Sequence, residues 1–117
     1  MNIAVVSGVV AGEIDQRTLS SGEQAWSFDL KTGLEGAAGT VPISWVDPPA
    51  RTTLSSGDEI LVVGHVQKRF FRVGPQTQAK TELLVHTLTQ TRSRRRVSVL
   101  LGELSDEILA YVPTVDR

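Results

Sequence analysis

The chain has 117 residues, of which 12 are Lys or Arg, 13 are Asp or Glu and none is Cys. This length fits one domain with a substantial core, and the lack of cysteine excludes disulfide frameworks, thiolate zinc sites and cysteine nucleophiles. No apolar run approaches the roughly 20 residues that span a bilayer, and no basic segment precedes the apolar N-terminus as in a secretory signal. We therefore expect a cytoplasmic protein with no membrane partner.

The net charge of −1 is unevenly distributed along the chain. Residues 65–96 contain eight cations and one acid, Glu82, so this segment carries +7 and leaves −8 for the rest. The cations are Lys68, Arg69, Arg72, Lys80, Arg92, Arg94, Arg95 and Arg96. Such an asymmetry indicates an anionic partner for one face of the protein, with a solvated mixed-charge surface as the alternative.

The N-terminal part of the sequence predicts a bent strand and a polar arm. Residues 2–10 are rich in valine, and Gly8 within them allows the bend that barrel strands need at corners. Residues 11–21 are polar and include Arg17. A turn is expected at residues 20–22.

A second strand is predicted by strict alternation in residues 24–30, where Trp26, Phe28 and Leu30 share one face. Because Trp26 lies in line with two apolar residues, we expect it in the core rather than against a ligand. Residues 33–39 contain three glycines but no following Lys-Ser or Lys-Thr and no helix. They predict a flexible hairpin loop and not a phosphate-binding loop.

The third predicted strand contains Val41, Ile43 and Trp45 at alternate positions. Trp45 shares the face of two core-type residues, so the pattern leaves open whether it packs in the core or contacts a ligand. The Asp-Pro-Pro sequence at 47–49 ends the strand, and residues 50–54 predict at most a short helix.

Two long strands complete the sheet, at residues 60–73 and 81–89, with a loop longer than two residues between them. Five strands with regular turn signals indicate a small all-β barrel. The far end of the fourth strand, residues 68–72, interleaves cations with two phenylalanines. An extended segment of this kind can neutralise phosphates and stack bases.

Alternation divides this strand end between two faces. Phe71 shares its face with Arg69, and Phe70 shares the other with Lys68 and Arg72. The pattern does not decide which phenylalanine faces a ligand, and both packing beneath the following loop is the alternative.

After the fifth strand, residues 91–96 are polar and basic, and apolar residues between 98 and 112 recur at roughly helical spacing. We expect a basic linker followed by a possible C-terminal helix. The arginines at 94–96 either contact phosphate or remain solvated.

Four stretches match the motifs of one family in order and roughly in spacing. They are Gly8 with the arm ending in Asp15-Gln16-Arg17 and Ser20-Ser21-Gly22; Ala25-Trp26-Ser27-Phe28-Asp29-Leu30; Ile43-Ser44-Trp45; and Gly57-Asp58 with Gly64-His65-Val66-Gln67-Lys68-Arg69-Phe70-Phe71 and Thr81-Glu82-Leu83-Leu84-Val85. Over residues 1 to about 90 the chain resembles the bacterial single-stranded DNA-binding (SSB) proteins.

The resemblance implies an all-β, five-stranded OB-fold barrel with a short helix between strands 3 and 4. It also implies a homotetramer (or homodimer) that binds single-stranded DNA without sequence preference in replication, recombination or repair, associated with a bacterial nucleoid. It places Trp45 on a DNA-facing aromatic, Phe71 on the family's fourth-strand tryptophan and Arg69 on its arginine. The candidate DNA-binding residues are Trp45, Phe71, Arg69, Lys68, Phe70, Arg72, Arg17 and Lys31. Residues 1–90 would form this domain, and 91–117 the linker and C-terminal segment.

The chain departs from the family where Gly39-Thr40 replaces an aromatic at the start of the third strand, and where glycines at 33–36 replace another. The family's Gly/Pro-rich tail and acidic tip are also missing. We therefore expect a divergent member with weaker, more salt-sensitive binding and no partner recruitment through that tip.

Catalysis is not expected, because the only two histidines, His65 and His86, have no metal-ligand spacing and no carboxylate pair stands out. No metal, cofactor or small-molecule substrate is predicted. The alternative to DNA binding is an OB-fold protein–protein interaction module or accessory replication subunit, which would have no need for +7 on one segment.

Overall fold

Five strands and one helix follow one another along the chain in a computed structural model, which describes residues 1–34 and 37–111 and the side chains of all but 34, 37 and 38. The elements are β1 (Ala4–Thr18), β2 (Gln24–Leu34), β3 (Ala37–Val46), β4 (Glu59–Val73), β5 (Gln76–Gln90) and α1 (Arg94–Tyr111).

The strands are ordered β1-β2-β3-β5-β4, and β4 pairs again with β1, so that the sheet closes into a ring. All neighbouring pairs are antiparallel except β3 and β5, which pair in parallel at Ile43 with Leu83 and Ser44 with Leu84. The prediction of five strands in an all-β sheet with a C-terminal helix is confirmed.

The interior of the ring is filled by the alternate apolar residues of the strands. Phe28 and Leu30 of β2 and Ile43 of β3 are buried there, as the alternation predicts. Ile60 and Val62 of β4 complete the centre. Trp26 is half-buried against this core, in agreement with its predicted packing role.

The short helix predicted between strands 3 and 4 is absent, and that prediction is wrong. Residues 47–58 form bends and turns. Each of the two consecutive prolines disfavours α conformation in the residue before it, so a helix could begin only after Pro49. Arg51 then adopts a φ of 67°, in the left-handed region, and a single turn closed by the Thr52 N–H to the Pro49 carbonyl (3.1 Å) is all that forms.

Strand β1 is longer than predicted because it includes most of the polar arm. Residues 4–9 pair with β4, and residues 9–18 pair with β2, with an irregularity between Ala11 and Asp15. Gly12, within this irregularity, has a φ of 72°. Gly8 lies where β1 changes partner, and a Cβ there would overlap the Lys31 carbonyl oxygen. Only glycine permits this close approach.

The β2–β3 and β4–β5 loops are both shorter than predicted. β2 and β3 pair out to Leu34 with Ala37, so most of the glycine segment belongs to strands; its residues 35 and 36 lie outside the described part of the chain. β4 and β5 pair out to Val73 with Gln76, which leaves a two-residue turn of Gly74 and Pro75. The positive φ of Gly74 (60°) and the fixed negative φ of proline have the signs of a type II′ hairpin turn.

Helix α1 begins after Ser93, whose hydroxyl accepts a hydrogen bond from the Arg96 N–H (3.3 Å) as an N-cap does. Leu100 and Leu104 of the helix pack on Leu61 and Val63, which point outward from β4. The helix is therefore an outer layer on the ring. Its predicted last residue, 112, and the tail beyond it lie outside the described residues. No helix in the described ranges has the length and hydrophobicity needed to cross a membrane.

Candidate nucleic-acid interface

The β4–β5 hairpin projects beyond the ring. Residues 60–64 of β4 are buried, but residues 68–73 of β4 and 76–81 of β5 are all exposed. Strand β3 pairs with β5 only at Leu83 and Leu84. The β5 residues before Leu83 therefore pair only with β4 and extend beyond the ring. The exposed arm is about 20 Å long, from six residues of each strand at about 3.3 Å each.

One side of this arm, the Phe70 face, consists of Lys68, Phe70 and Arg72 with Thr81, Ala79 and Thr77 opposite them. Phe70 is 66% exposed. Its cross-strand neighbour Ala79 is too small to cover the ring. A cation two positions away on each side completes an open aromatic platform between positive charges.

The other side, the Phe71 face, consists of Gln67, Arg69 and Phe71 with Glu82, Lys80 and Gln78 opposite them. Phe71 is 38% exposed, about half the fraction of Phe70. Neither phenylalanine is buried, so the alternative in which both pack beneath the turn does not occur in this conformation.

Arg69 forms an ion pair with the carboxylate of Glu82. Its Nε lies 3.7 Å from Oε1 of Glu82, which is 5% exposed, and Gln67 Nε2 donates to the same oxygen at 3.1 Å. A buried carboxylate loses its hydration and needs such partners. Arg69 therefore helps to fix the base of the hairpin, and its charge is less available to a ligand than those of Lys68 and Arg72.

Trp45, the other aromatic that the resemblance places against DNA, is 6% exposed and belongs to the core. Its ring lies edge-on to Trp26, with centroids 5.9 Å apart. A base could not stack on this ring without rearrangement of the core. Its DNA contact stays a prediction, and we do not include it in the interface.

Arg17 and Lys31 lie on strands β1 and β2, which pair with no residue of the exposed arm, and they are near opposite ends of the β1–β2 ladder. Arg17 is opposite Ala25 at one end of β2, and its Nε is 3.9 Å from Asp15 Oδ2. Lys31 is six residues further along β2, about 20 Å away, and pairs with Val9 and Thr40. The structure thus brings together residues 68–72 but not the other candidates.

Sequence reasoning missed several residues beside these elements. Lys80 belongs to the basic segment but is not among the predicted site residues, although it lies opposite Arg69. This register follows from the two-residue turn. The two histidines also meet, with His65 Nδ1 and His86 Nε2 2.8 Å apart, joined by one ring N–H. In the described ranges no third His, Cys, Asp or Glu joins them as a metal site.

A scan against models of protein families and a search of curated protein sequences both found no match for this chain. Among solved structures, the chain is similar to the protein of "Plasmodium falciparum SSB complex with ssDNA", with 18% sequence identity and a TM-score of 0.65. The match covers 77% of this chain and 94% of that one. The fold is an SSB-like OB fold.

Within an OB fold, the hairpin described above is the connection between strands 4 and 5. This connection, the one between strands 1 and 2 and the face of strands 2 and 3 are the elements with which OB folds bind oligonucleotides. The exposed basic and aromatic arm is one of these elements. Membership of the bacterial family stays a prediction.

Proposed function

We propose that the protein binds single-stranded DNA without sequence preference, through the Phe70 face of the β4–β5 hairpin. The observation that carries this proposal is the exposed Phe70 ring between Lys68 and Arg72 on an arm that leaves the OB fold. Bases stack on the ring while the two cations neutralise phosphates on either side.

The chemistry of this face suits any base. Every base has a π-face, so stacking does not discriminate between sequences, and point charges read phosphates rather than base edges. A duplex keeps its bases stacked on one another and offers no open face to Phe70. We therefore expect a preference for single strands, of DNA or RNA, over duplexes.

The solved structure that the chain resembles supports this proposal by analogy, since its title describes an SSB bound to single-stranded DNA. A shared fold does not by itself imply a shared ligand. The hairpin adds an argument from this chain's own residues. Roles in DNA replication, recombination or repair, at a bacterial nucleoid in the cytoplasm, belong to the same proposal.

Anisotropy of a labelled oligo-dT tests the proposal, because the two tryptophans lie away from the hairpin and would report stacking there poorly. We expect oligo-dT and a mixed-sequence single strand to bind with similar affinity, and a duplex of equal charge to bind much more weakly. A duplex that binds as tightly as the single strands would contradict the role of stacking. Absence of all binding would favour the alternative, an OB-fold protein–protein interaction module or accessory replication subunit.

We also propose that the chain self-associates through β1. Residues 4–8 pair with β4 on one side, whereas pairing with β2 begins at Val9. In the described part of the chain the other edge of this segment has no strand beside it, and Val5 is exposed. An uncharged free edge of this kind favours pairing with another strand.

Light scattering coupled to gel filtration should give the molar mass of a dimer or a tetramer. Val5→Lys would place a charge at this edge and should lower that mass without unfolding the chain. A monomeric wild-type protein at micromolar concentration would exclude the assembly.

A further inference from the structure

A second basic surface lies at the other end of the fold, in a cavity of about 620 Å³ between the β3–β4 loop, β5 and the start of α1. Arg51 lines it from the loop, Arg92 from the β5–α1 turn and Arg96 from the helix. Asp47 is the one acid among the lining residues. Three arginines from three segments thus line one concave site.

These arginines are electrostatically uncompensated in the described part of the chain. Its two ion pairs within 4 Å are Arg17 with Asp15 and Arg69 with Glu82, neither of which involves the cavity. The first turn of α1 contains no acid, and the positive end of the helix dipole repels the cations there. An anion in the cavity would relieve this repulsion and the repulsion among the arginines.

The remaining lining is partly apolar, with Trp45, Val85 and Leu88, and partly polar. Thr53 and Ser93 border the same space, and hydroxyls of such residues can donate to phosphate oxygens alongside guanidinium groups. The Thr52 hydroxyl already donates to the Pro49 carbonyl. Arginine presents paired N–H donors that match phosphate geometry. The cavity therefore has both the charge and the donors of a phosphate site.

We propose that this cavity binds phosphate groups of the same nucleic-acid strand that contacts the hairpin, as a second, separate contact. The inference rests on the proposed function. Lys80 and Arg92 are twelve residues apart along the β5 direction, about 40 Å in an extended chain. A strand bound at both surfaces must therefore pass along the length of the protein, and the cavity contributes only when the strand is long enough to reach it.

Two double variants with equal charge provide the test. Arg92→Gln with Arg96→Gln removes two lining cations, and Arg94→Gln with Arg95→Gln removes two cations of the same segment that do not line the cavity. Both pairs change the net charge equally, and both affect long-range attraction equally. Each is compared with wild type on a short oligo-dT of about 4 nucleotides, at the lower end of the ~4–16 nucleotides that one OB fold covers, and a long one of about 30.

On the long strand we expect the Arg92/Arg96 variant to lose affinity about tenfold at low salt, with the salt slope falling by about 0.7 per arginine. The Arg94/Arg95 variant should change much less. On the short strand the two variants should be alike. If the two variants also bind the long strand with equal affinity, the cavity does not contact the strand and the proposal is wrong.

Pyrophosphate gives a second test that does not depend on the hairpin. Followed by NMR of the arginine Nε–Hε groups, it should shift the signals of Arg92 and Arg96 saturably and leave Arg94 unchanged. Equal small shifts of all the arginines, or none, would overturn the inference. If no oligonucleotide binds the wild-type chain, the proposed function fails, and this titration then decides by itself whether the cavity takes phosphate.

Discussion

Replacement of Phe70 by alanine should weaken oligo-dT binding by about 1–3 kcal/mol, because it removes a stacking platform, which is roughly a 5- to 150-fold loss of affinity. The loss should be the same for all base sequences, since the ring stacks any base. The fold should not change, because the side chain is 66% exposed and buries little surface. Anisotropy titrations of the variant and the wild type measure the effect directly.

Phe71→Ala is the matched control, since it removes the same ring from the adjacent residue on the opposite face. Phe71 is less exposed and shares its face with Arg69, which is engaged by Glu82. We expect a smaller loss of affinity than for Phe70→Ala. A larger loss would place the strand on the Phe71 face, which is the assignment that the SSB resemblance makes.

Replacement of Gly64 by alanine should destabilise the fold by about 3 kcal/mol or more, at the upper end of overpacking costs. A Cβ at this position would overlap the Leu84 carbonyl oxygen and approach the Leu83 side chain. Both belong to the strand that β4 pairs with, and a register shift already lies between Val63 and Gly64. Because backbone rather than a flexible side chain is in the way, the strands must separate, and the urea midpoint should fall.

Gly33→Ala is the control for this prediction. Gly33 also lies in a strand, but a Cβ there would meet no atom of the described part of the chain within 4 Å, and its φ is not in the left-handed region. Its substitution should change the free energy of unfolding by less than about 1 kcal/mol. Equal effects of the two substitutions would mean that the close approach at Gly64 does not limit stability.

The strands and their inward faces could be predicted because alternation is a local signal. Phe28, Leu30 and Ile43 each lie in a clean two-residue period, and all are buried as expected. The absence of a helix between strands 3 and 4 could not be predicted from a local pattern. Its residues have acceptable helical composition, and only the backbone conformation after the two prolines, with a positive φ at Arg51, prevents it.

The candidate site was predicted in composition but not in geometry. The basic and aromatic residues of 68–72 are adjacent in sequence, so their clustering required no fold. The partner of Arg69 required the register of the hairpin, which depends on Gly74 and Pro75 forming a two-residue turn. The longer loop that the sequence predicts between β4 and β5 would change the pairing of the two strands, and the contact between Arg69 and Glu82 could not then be predicted.

The arginine cavity could not be predicted from the sequence either, because it is formed by segments that are distant along the chain. Arg51 is 41 residues from Arg92 along the chain, and both line the cavity because the β3–β4 loop and the turn before α1 border the same space. The charge pattern of the sequence predicts the basic segment that contains Arg92 and Arg96. It does not predict that Arg51 lies beside them.

The affinity of the wild-type chain for labelled oligo-dT over a series of salt concentrations tests the central claim most directly. If the hairpin binds single strands through cations and stacking, the affinity should be in the micromolar range or tighter at low salt, and log K should fall with log salt by about 0.7 per phosphate neutralised. A Kd weaker than roughly 10 µM at low salt, or an affinity that does not change with salt, would contradict it.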